Sequence, residues 1–299
     1  MLNRNWFLIT GIFMLSILLL VTFVGPHIPY VKEGIEEGRI RFLDGGKGLL
    51  KAPFSPGQQP PFGSDHEGRD LLSVIIVGAK DTLKIILGIV IIRYCLAIPL
   101  GLLATRKNNP FSWIVTTWNN VFSSIPIIFS ALLLLAIPAL VMNENRLWWS
   151  VLLLALIEVG KVSHIIREET QRIVRKPYIE AGITVGISPL RLALGNILPN
   201  TYPAIMVNFF IDIGRTCLLI AQLGIFGVFL SQVFVQTSYG VGEMINTSLN
   251  WPTLLGQARK DMISSIWIPF WTCVAISFTM FTFTILGEGL RRYFDRKTN

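Results

Sequence analysis

The chain of 299 residues is 52% hydrophobic and only 15% charged, with a mean hydropathy of +0.58. Soluble domains carry roughly a quarter charged residues, so the composition excludes a soluble globular fold, and length gives no domain count where apolar surface meets lipid. The formal charge of +8 would suggest a nucleic-acid partner in a soluble protein; in a membrane chain it fits basic cytoplasmic loops, and no nucleic acid is expected.

The first apolar run, Phe7 to Val24, follows Arg4 and holds no charge. It ends in Gly25-Pro26-His27 without a small-x-small cleavage pattern, which predicts an uncleaved anchor helix over 1–24. Residues 25–82 are polar and punctuated by Gly45-Gly46, Pro53, Pro56-Gly57 and Pro60-Pro61, which predicts an extracytoplasmic loop of short elements. Five further spans are expected within 83–290. Leu83 to Ala104 holds Arg93 and is broken by Pro99; Asn119 to Met142 follows an interfacial stretch with Trp113 and Trp118. Leu147 to Ile166 comes next, then spans around Tyr202 to Leu223 and Ile266 to Gly287, with a tail over 291–299. The segment Leu230 to Ser265, with Gly240, Gly242 and Trp251-Pro252, is expected along the outer face. The predicted fold is therefore an all-α polytopic membrane protein with six transmembrane helices. Cys95, Cys217 and Cys273 lie in apolar runs without C-x-x-C spacing, as free buried thiols do.

Lys and Arg set the orientation. With the N-terminus inside, the inner segments hold Arg4, Arg106, Lys107, Lys161, Arg167, Arg172, Arg175, Lys176, Arg191, Arg291, Arg292, Arg296 and Lys297 against Glu168, Glu169, Glu180 and Asp295. The positive-inside rule then places both termini in the cytoplasm.

Two stretches stand out. In Gly63-Ser64-Asp65-His66-Glu67-Gly68-Arg69-Asp70, the glycines permit a tight turn, and Asp65, Arg69 and Asp70 can form an ion-pair and capping cluster at a helix start. In Tyr178-Ile179-Glu180-Ala181-Gly182-Ile183-Thr184-Val185-Gly186-Ile187-Ser188-Pro189-Leu190-Arg191, apolar residues at helical spacing reach a glycine that can stop a helix. Ser188-Pro189 can start another, and Pro199 is expected to close it. Such an amphipathic hairpin either receives force from a soluble motor or rests on headgroups.

Charges within spans are pathway candidates by default: here Arg93, Glu158, Asp212 and Arg215. Glu158 with Lys161, and Asp212 with Arg215, stand three apart and are expected to neutralise each other. Arg93 is expected to pair with Glu158 or Asp212, to snorkel, or to engage an anionic group of a solute. His27, His66 and His164 are scattered, which predicts no metal site. A secondary transporter would need a coupling-ion site, with Glu158 and Asp212 as its candidates; an intramembrane enzyme would need a nucleophile and base or a metal site at membrane depth, and the chain holds neither H-E-x-x-H nor G-x-S-x-G.

Together the two stretches resemble the permease subunits of ATP-binding-cassette importers, in the dipeptide, oligopeptide and nickel branch and of its second-permease type. The family's G-T-D-x-x-G-R-D-like segment corresponds to Gly63-Ser64-Asp65 through Gly68-Arg69-Asp70, and its E-A-A-x-x-x-G loop to Glu180-Ala181-Gly182 with Gly186, ending in Leu198-Pro199-Asn200. Ile285-Leu286-Gly287-Glu288-Gly289-Leu290-Arg291 is similar to its final L-G-D-G-L-R segment. Gly182 stands where a second Ala is usual, Asn196 for a His, Lys80 for an Arg and Trp251-Pro252 for Trp-Gly, and Ser231 to Asn250 is longer than usual. The resemblance implies a type I importer permease fold with a coupling loop over 167–200, in a bacterial or archaeal plasma membrane. It implies a second homologous permease, two ATPase subunits that carry ATP and Mg, and an extracytoplasmic binding protein that delivers peptides or metal chelates such as those of nickel. Tyr178, Glu180, Ala181, Gly182, Gly186, Ser188 and Pro189 would dock on an ATPase. The chain itself has no G-x-x-x-x-G-K-[ST] motif and is expected to bind no cofactor and catalyse nothing.

Overall fold

The computed structural model describes residues 5–36, 38–42, 49–106, 109–238, 241–246 and 248–298; Arg4, Gly45-Gly46, Lys107 and Gly240 of the sequence reading lie outside them. In chain order the helices are α1 (Trp6–Phe23), α2 (Pro29–Ile35), α3 (Leu71–Leu103), α4 (Pro110–Ser123), α5 (Ile127–Leu135), α6 (Pro138–Val141) and α7 (Arg146–Val174). They continue with α8 (Pro177–Thr184), α9 (Pro189–Leu192), α10 (Leu198–Ile225), α11 (Trp251–Leu254), α12 (Ala258–Ser264) and α13 (Trp267–Thr298). Two antiparallel hairpins interrupt them, β1 (Ile40–Phe42) with β2 (Leu49–Lys51), and β3 (Gln232–Ser238) with β4 (Val241–Asn246), the latter in register from Gln232 opposite Asn246.

Among the described residues, five helices are long and apolar enough to cross a membrane: Trp6–His27, Leu71–Leu103, Arg146–Val174, Pro189–Ile225 and Trp267–Arg296. The expected sixth span over Asn119 to Met142 is not a single helix but a bent helix pair, which counted as one unit brings the candidate spans to six. It consists of α4 and α5, bent by 94°. Pro126 causes the break, because it lacks an N–H and pushes Ile125 out of the α region, and Ile137-Pro138 repeats the interruption. Two other boundaries move. The second span begins at Leu71 rather than Leu83, so the last twelve residues of the expected loop are helical, and the tail continues α13 as far as Thr298.

The helices α3, α7, α10 and α13 surround one core that includes Ile86, Ile89, Leu154, Ile157, Ile213 and Ile220. Between membrane helices there is no hydrophobic drive, so small residues that let backbones approach set the crossings. A Cβ at Gly101 of α3 would stand 2.8 Å from the Ser163 carbonyl of α7, and one at Gly160 of α7 would stand 2.8 Å from the Asn119 nitrogen of α4. The expected anchor is no separate element. Gly11 brings α1 against the Leu286 backbone of α13, Asn5 donates to the Gly289 carbonyl at 2.7 Å, and Arg292 lies over the Phe7 ring.

Candidate functional site

The loop motif forms a clasp. Gly63 and Gly68 both have φ near +80°, the left-handed region that favours glycine. Between them the Asp65 carboxylate accepts from the Glu67 and Arg69 amides at 2.9 Å, and its other oxygen lies 2.6 Å from the Arg69 guanidinium. Asp70 caps α3, accepting from the Ser73 amide at 2.8 Å and the Ser73 hydroxyl at 2.7 Å. The turn also ties three elements together. The Asp70 amide donates to Gly34 of α2 at 2.7 Å, Trp267 of α13 donates to the Ser64 carbonyl at 3.1 Å, and Phe62 stacks on Trp271. Asp70→Ala is expected to cost about 1 kcal/mol through loss of the cap, seen as a lower thermal midpoint of the purified protein, with Asp70→Asn close to the parent.

Below the clasp, Trp251 is buried against α3, donating from its indole to Ile75 at 2.8 Å and from its amide to Thr82 at 3.0 Å. Pro252 is accommodated because Gly224 of α10 leaves room for its backbone. The departure at Trp251-Pro252 thus has a matching glycine on a facing helix.

The second stretch folds as the predicted helix-turn-helix. Helix α8 ends at Thr184, Gly186 turns the chain with φ +82°, and α9 starts at Pro189 behind Ser188. Ile179, Leu192 and Ile197 are buried together and pack on Leu102 at the end of α3 and Val174 at the end of α7. The hairpin is therefore seated on two membrane helices. Gly182 is buried here, and a Cβ in its place would lie 3.1 Å from the Leu192 Cδ1 and 3.4 Å from the Ile187 Cδ1, so the missing methyl leaves Leu192 its place against α8. Tyr178, Ile183, Val185 and Leu190 are exposed, Val185 by 82% and Leu190 by 70%. Glu180, Ala181, Ser188 and Pro189 are exposed beside them. One expectation fails. Pro199 does not close the hairpin but sits in the first turn of α10, entered through a wide turn at Ala193–Ile197, where its missing N–H costs nothing.

At mid-span Arg93 pairs with the acids as expected and Glu158 meets Lys161, while the expected Asp212–Arg215 pairing does not form. Arg93 of α3 is fully buried, and its Nη1 lies 2.7 Å from Asp212 of α10 and 2.9 Å from Glu158 of α7. The same nitrogen donates to the Thr216 hydroxyl at 3.2 Å, and Nη2 donates to the Leu154 carbonyl at 3.0 Å. Glu158 also meets Lys161, at 3.5 Å. Asp212, however, does not pair with Arg215. Asp212 is on the buried side of α10 and is taken by Arg93, whereas Arg215 is exposed and has no ion-pair or hydrogen-bond partner among the described residues. Spacing of three along a helix showed that the pair could meet, not which faces the two residues would occupy.

The described residues bring no three His, Cys, Asp or Glu side chains together as a metal site. Residues 97–299 match the family described as binding-protein-dependent transport system inner membrane component. The chain belongs to this family. The permease is 27% identical over 292 residues, 97% of its length and 86% of the relative's, to the glutathione transport system permease protein GsiD of Salmonella paratyphi A. It is 27% identical to GsiD of Escherichia coli O157:H7, over 81% of the permease and 74% of the relative. Among solved structures it is similar to the inward-facing MetNI methionine ABC transporter, with a TM-score of 0.54 at 16% identity, covering 74% of the permease and 95% of that chain. The fold is thus that of a type I ABC importer permease, a multi-pass membrane protein whose motor activity lies in separate ATPase subunits.

Proposed function

We propose that this permease forms half of the membrane path of an importer for peptides or related small solutes, glutathione-like tripeptides and metal chelates among them. It pairs with a second, homologous permease, sits on two ATPase subunits that hold ATP and Mg, and takes cargo from an extracytoplasmic binding protein. The exposed apolar side chains of the α8–α9 hairpin carry the reading. Tyr178, Ile183, Val185 and Leu190 are displayed by a hairpin whose opposite face is packed on the ends of α3 and α7. A rigidly seated knob with an apolar face suits a groove on a soluble motor, because a push on it moves the spans as bodies instead of bending a loop. Glu180, Ala181, Gly182, Gly186, Ser188 and Pro189 shape that knob. The similarity to two glutathione permeases supports the peptide-like cargo, and the clasp over Gly63 to Asp70 holds the outer ends of α2, α3 and α13 together while the path opens and closes.

In this reading both termini and the hairpin are cytoplasmic, and the segment 25–70 is extracytoplasmic. The core permease unit extends over 83–290, from within α3 to Leu290. Single cysteines at Ser55 and Ser188, in a variant lacking Cys95, Cys217 and Cys273, test the orientation in intact cells. Ser55→Cys is expected to react with an impermeant thiol reagent and Ser188→Cys to stay unlabelled until the membrane is opened. Labelling of Ser188→Cys from outside would overturn both the orientation and the docking role.

A further inference from the structure

Helix α10 shows a patterned surface that the described residues do not cover. From Asp212 to Gly224 every residue is buried except Arg215, Leu218 and Gln222. Continued toward the start of the helix at the same spacing, the stripe takes in Asn208 and Ile211, both partly exposed. Steps of three and four place all five on one face. The polar members Asn208, Arg215 and Gln222 recur every seven residues, about 10 Å apart along the axis, with Ile211 and Leu218 between them. The lower end of the stripe opens into a groove of about 710 Å³ between α7, α10 and α13, lined by Glu169, Arg172, Asn208, Ile211, Arg291 and Asp295 among others.

The charge near the middle of the stripe is not balanced. Arg93, Lys161 and Arg215 face only two acids at this depth, Glu158 and Asp212, and both acids are engaged, Asp212 by Arg93 and Glu158 by Arg93 and Lys161. Arg215 is the cation left over, and it points away from the bundle. An unpaired guanidinium at mid-span does not face hydrocarbon, and two amide side chains two turns above and below it do not either.

Resting on the importer reading, we propose that the Asn208–Arg215–Gln222 stripe lines a water-filled passage between this permease and its partner, and that Arg215 makes the passage selective for solutes bearing a carboxylate. Its planar fork holds a carboxylate through two parallel hydrogen bonds. The Asn208 amide, which donates one N–H to the Ala204 carbonyl at 2.8 Å, keeps a second donor and its acceptor, and Gln222 offers both, which suits the backbone of a peptide-like solute passing along the stripe. The buried Arg93 cluster behind it keeps Asp212 occupied, so that Arg215 stays available.

The test needs no knowledge of the cargo. In the assembled transporter, reconstituted in liposomes from a variant lacking the three native cysteines, Asn208→Cys and Gln222→Cys are each exposed to 2-carboxyethyl methanethiosulfonate and to its trimethylammonioethyl analogue. Rates are normalised to those of a free thiol. Both positions are expected to react, with the carboxylate reagent favoured by about a hundredfold, since one charge at about 10 Å with an effective dielectric near 20 speeds the anion and slows the cation by about tenfold each. Arg215→Gln is expected to remove the preference and Arg215→Lys to keep it. Failure of both positions to react, or a preference that survives Arg215→Gln, would overturn the proposal. ATPase activity of the same preparations, stimulated through the hairpin, is read separately, so a dry or unselective stripe is distinguishable from a failure of the importer reading.

Discussion

Arg93→Leu is expected to be the most damaging single substitution in the membrane core, abolishing assembly of the permease. The side chain is fully buried and one nitrogen holds both Asp212 and Glu158, so its removal leaves two carboxylates inside the bundle without their common partner. Breaking a buried ion pair from one side costs about 3–5 kcal/mol, because the remaining charge stays desolvated. Glu158 retains Lys161 at 3.5 Å; Asp212 retains nothing comparable, since Arg215 is on the exposed side of the helix. The result is expected as a loss of monodisperse protein after detergent extraction and a lower thermal midpoint. Arg93→Lys keeps the charge but, as a compact ammonium, reproduces fewer of the contacts to Asp212, Glu158, Thr216 and Leu154 and is expected to be intermediate. Arg93→Leu combined with Asp212→Asn and Glu158→Gln removes the stranded charge and is expected to recover most of the assembly. Normal assembly and transport by Arg93→Leu alone would show that the cluster neither holds the bundle nor shapes the path.

That cluster also marks the limit of what the chain reveals unfolded. Spans were legible wherever a run of apolar residues stayed helical, because hydropathy sums composition over a window. The α4–α5 bend was not legible from that sum, since Pro126 changes the direction of the chain and not its hydropathy. Local signals read correctly: Asp70 as a cap, Gly186 as a turn and Ser188-Pro189 as a start all depend on backbone groups a few residues away. Pro199 was misread because a proline serves equally after one helix and in the first turn of the next. The Asp212–Arg215 pairing failed for a different reason. Asp212 had two candidate partners in the sequence, Arg215 three residues on and Arg93 119 residues back, and only the packing of α3 on α10 decides between them. Gly182, a departure from its family's pattern when read in sequence, becomes a fit once Leu192 and Ile187 are seen against it.

Gly186→Val is expected to abolish transport and transport-linked ATP hydrolysis while leaving the permease inserted. The structure separates the two ways in which a side chain could fail at this position. A Cβ on Gly186 meets nothing within 4 Å, so there is no clash, but φ is +82°. The cost is therefore conformational, about 1–2 kcal/mol for an L-residue held in the left-handed region, and larger for a branched one. It falls on a turn that connects two short helices of eight and four residues, with three buried residues beneath them. Relief by rotation of the turn would reorient α9 and with it Leu190, dividing the exposed apolar face from Tyr178 and Ile183. The spans lie outside this unit and keep their own packing, so insertion and extraction yield should match the parent. A graded series makes the mechanism specific: Asn, which tolerates the left-handed region, is expected near parental activity, Ala reduced, and Val inactive. Equal activity of the three variants at equal expression would mean that the turn geometry does not transmit force, and would remove the hairpin from the mechanism.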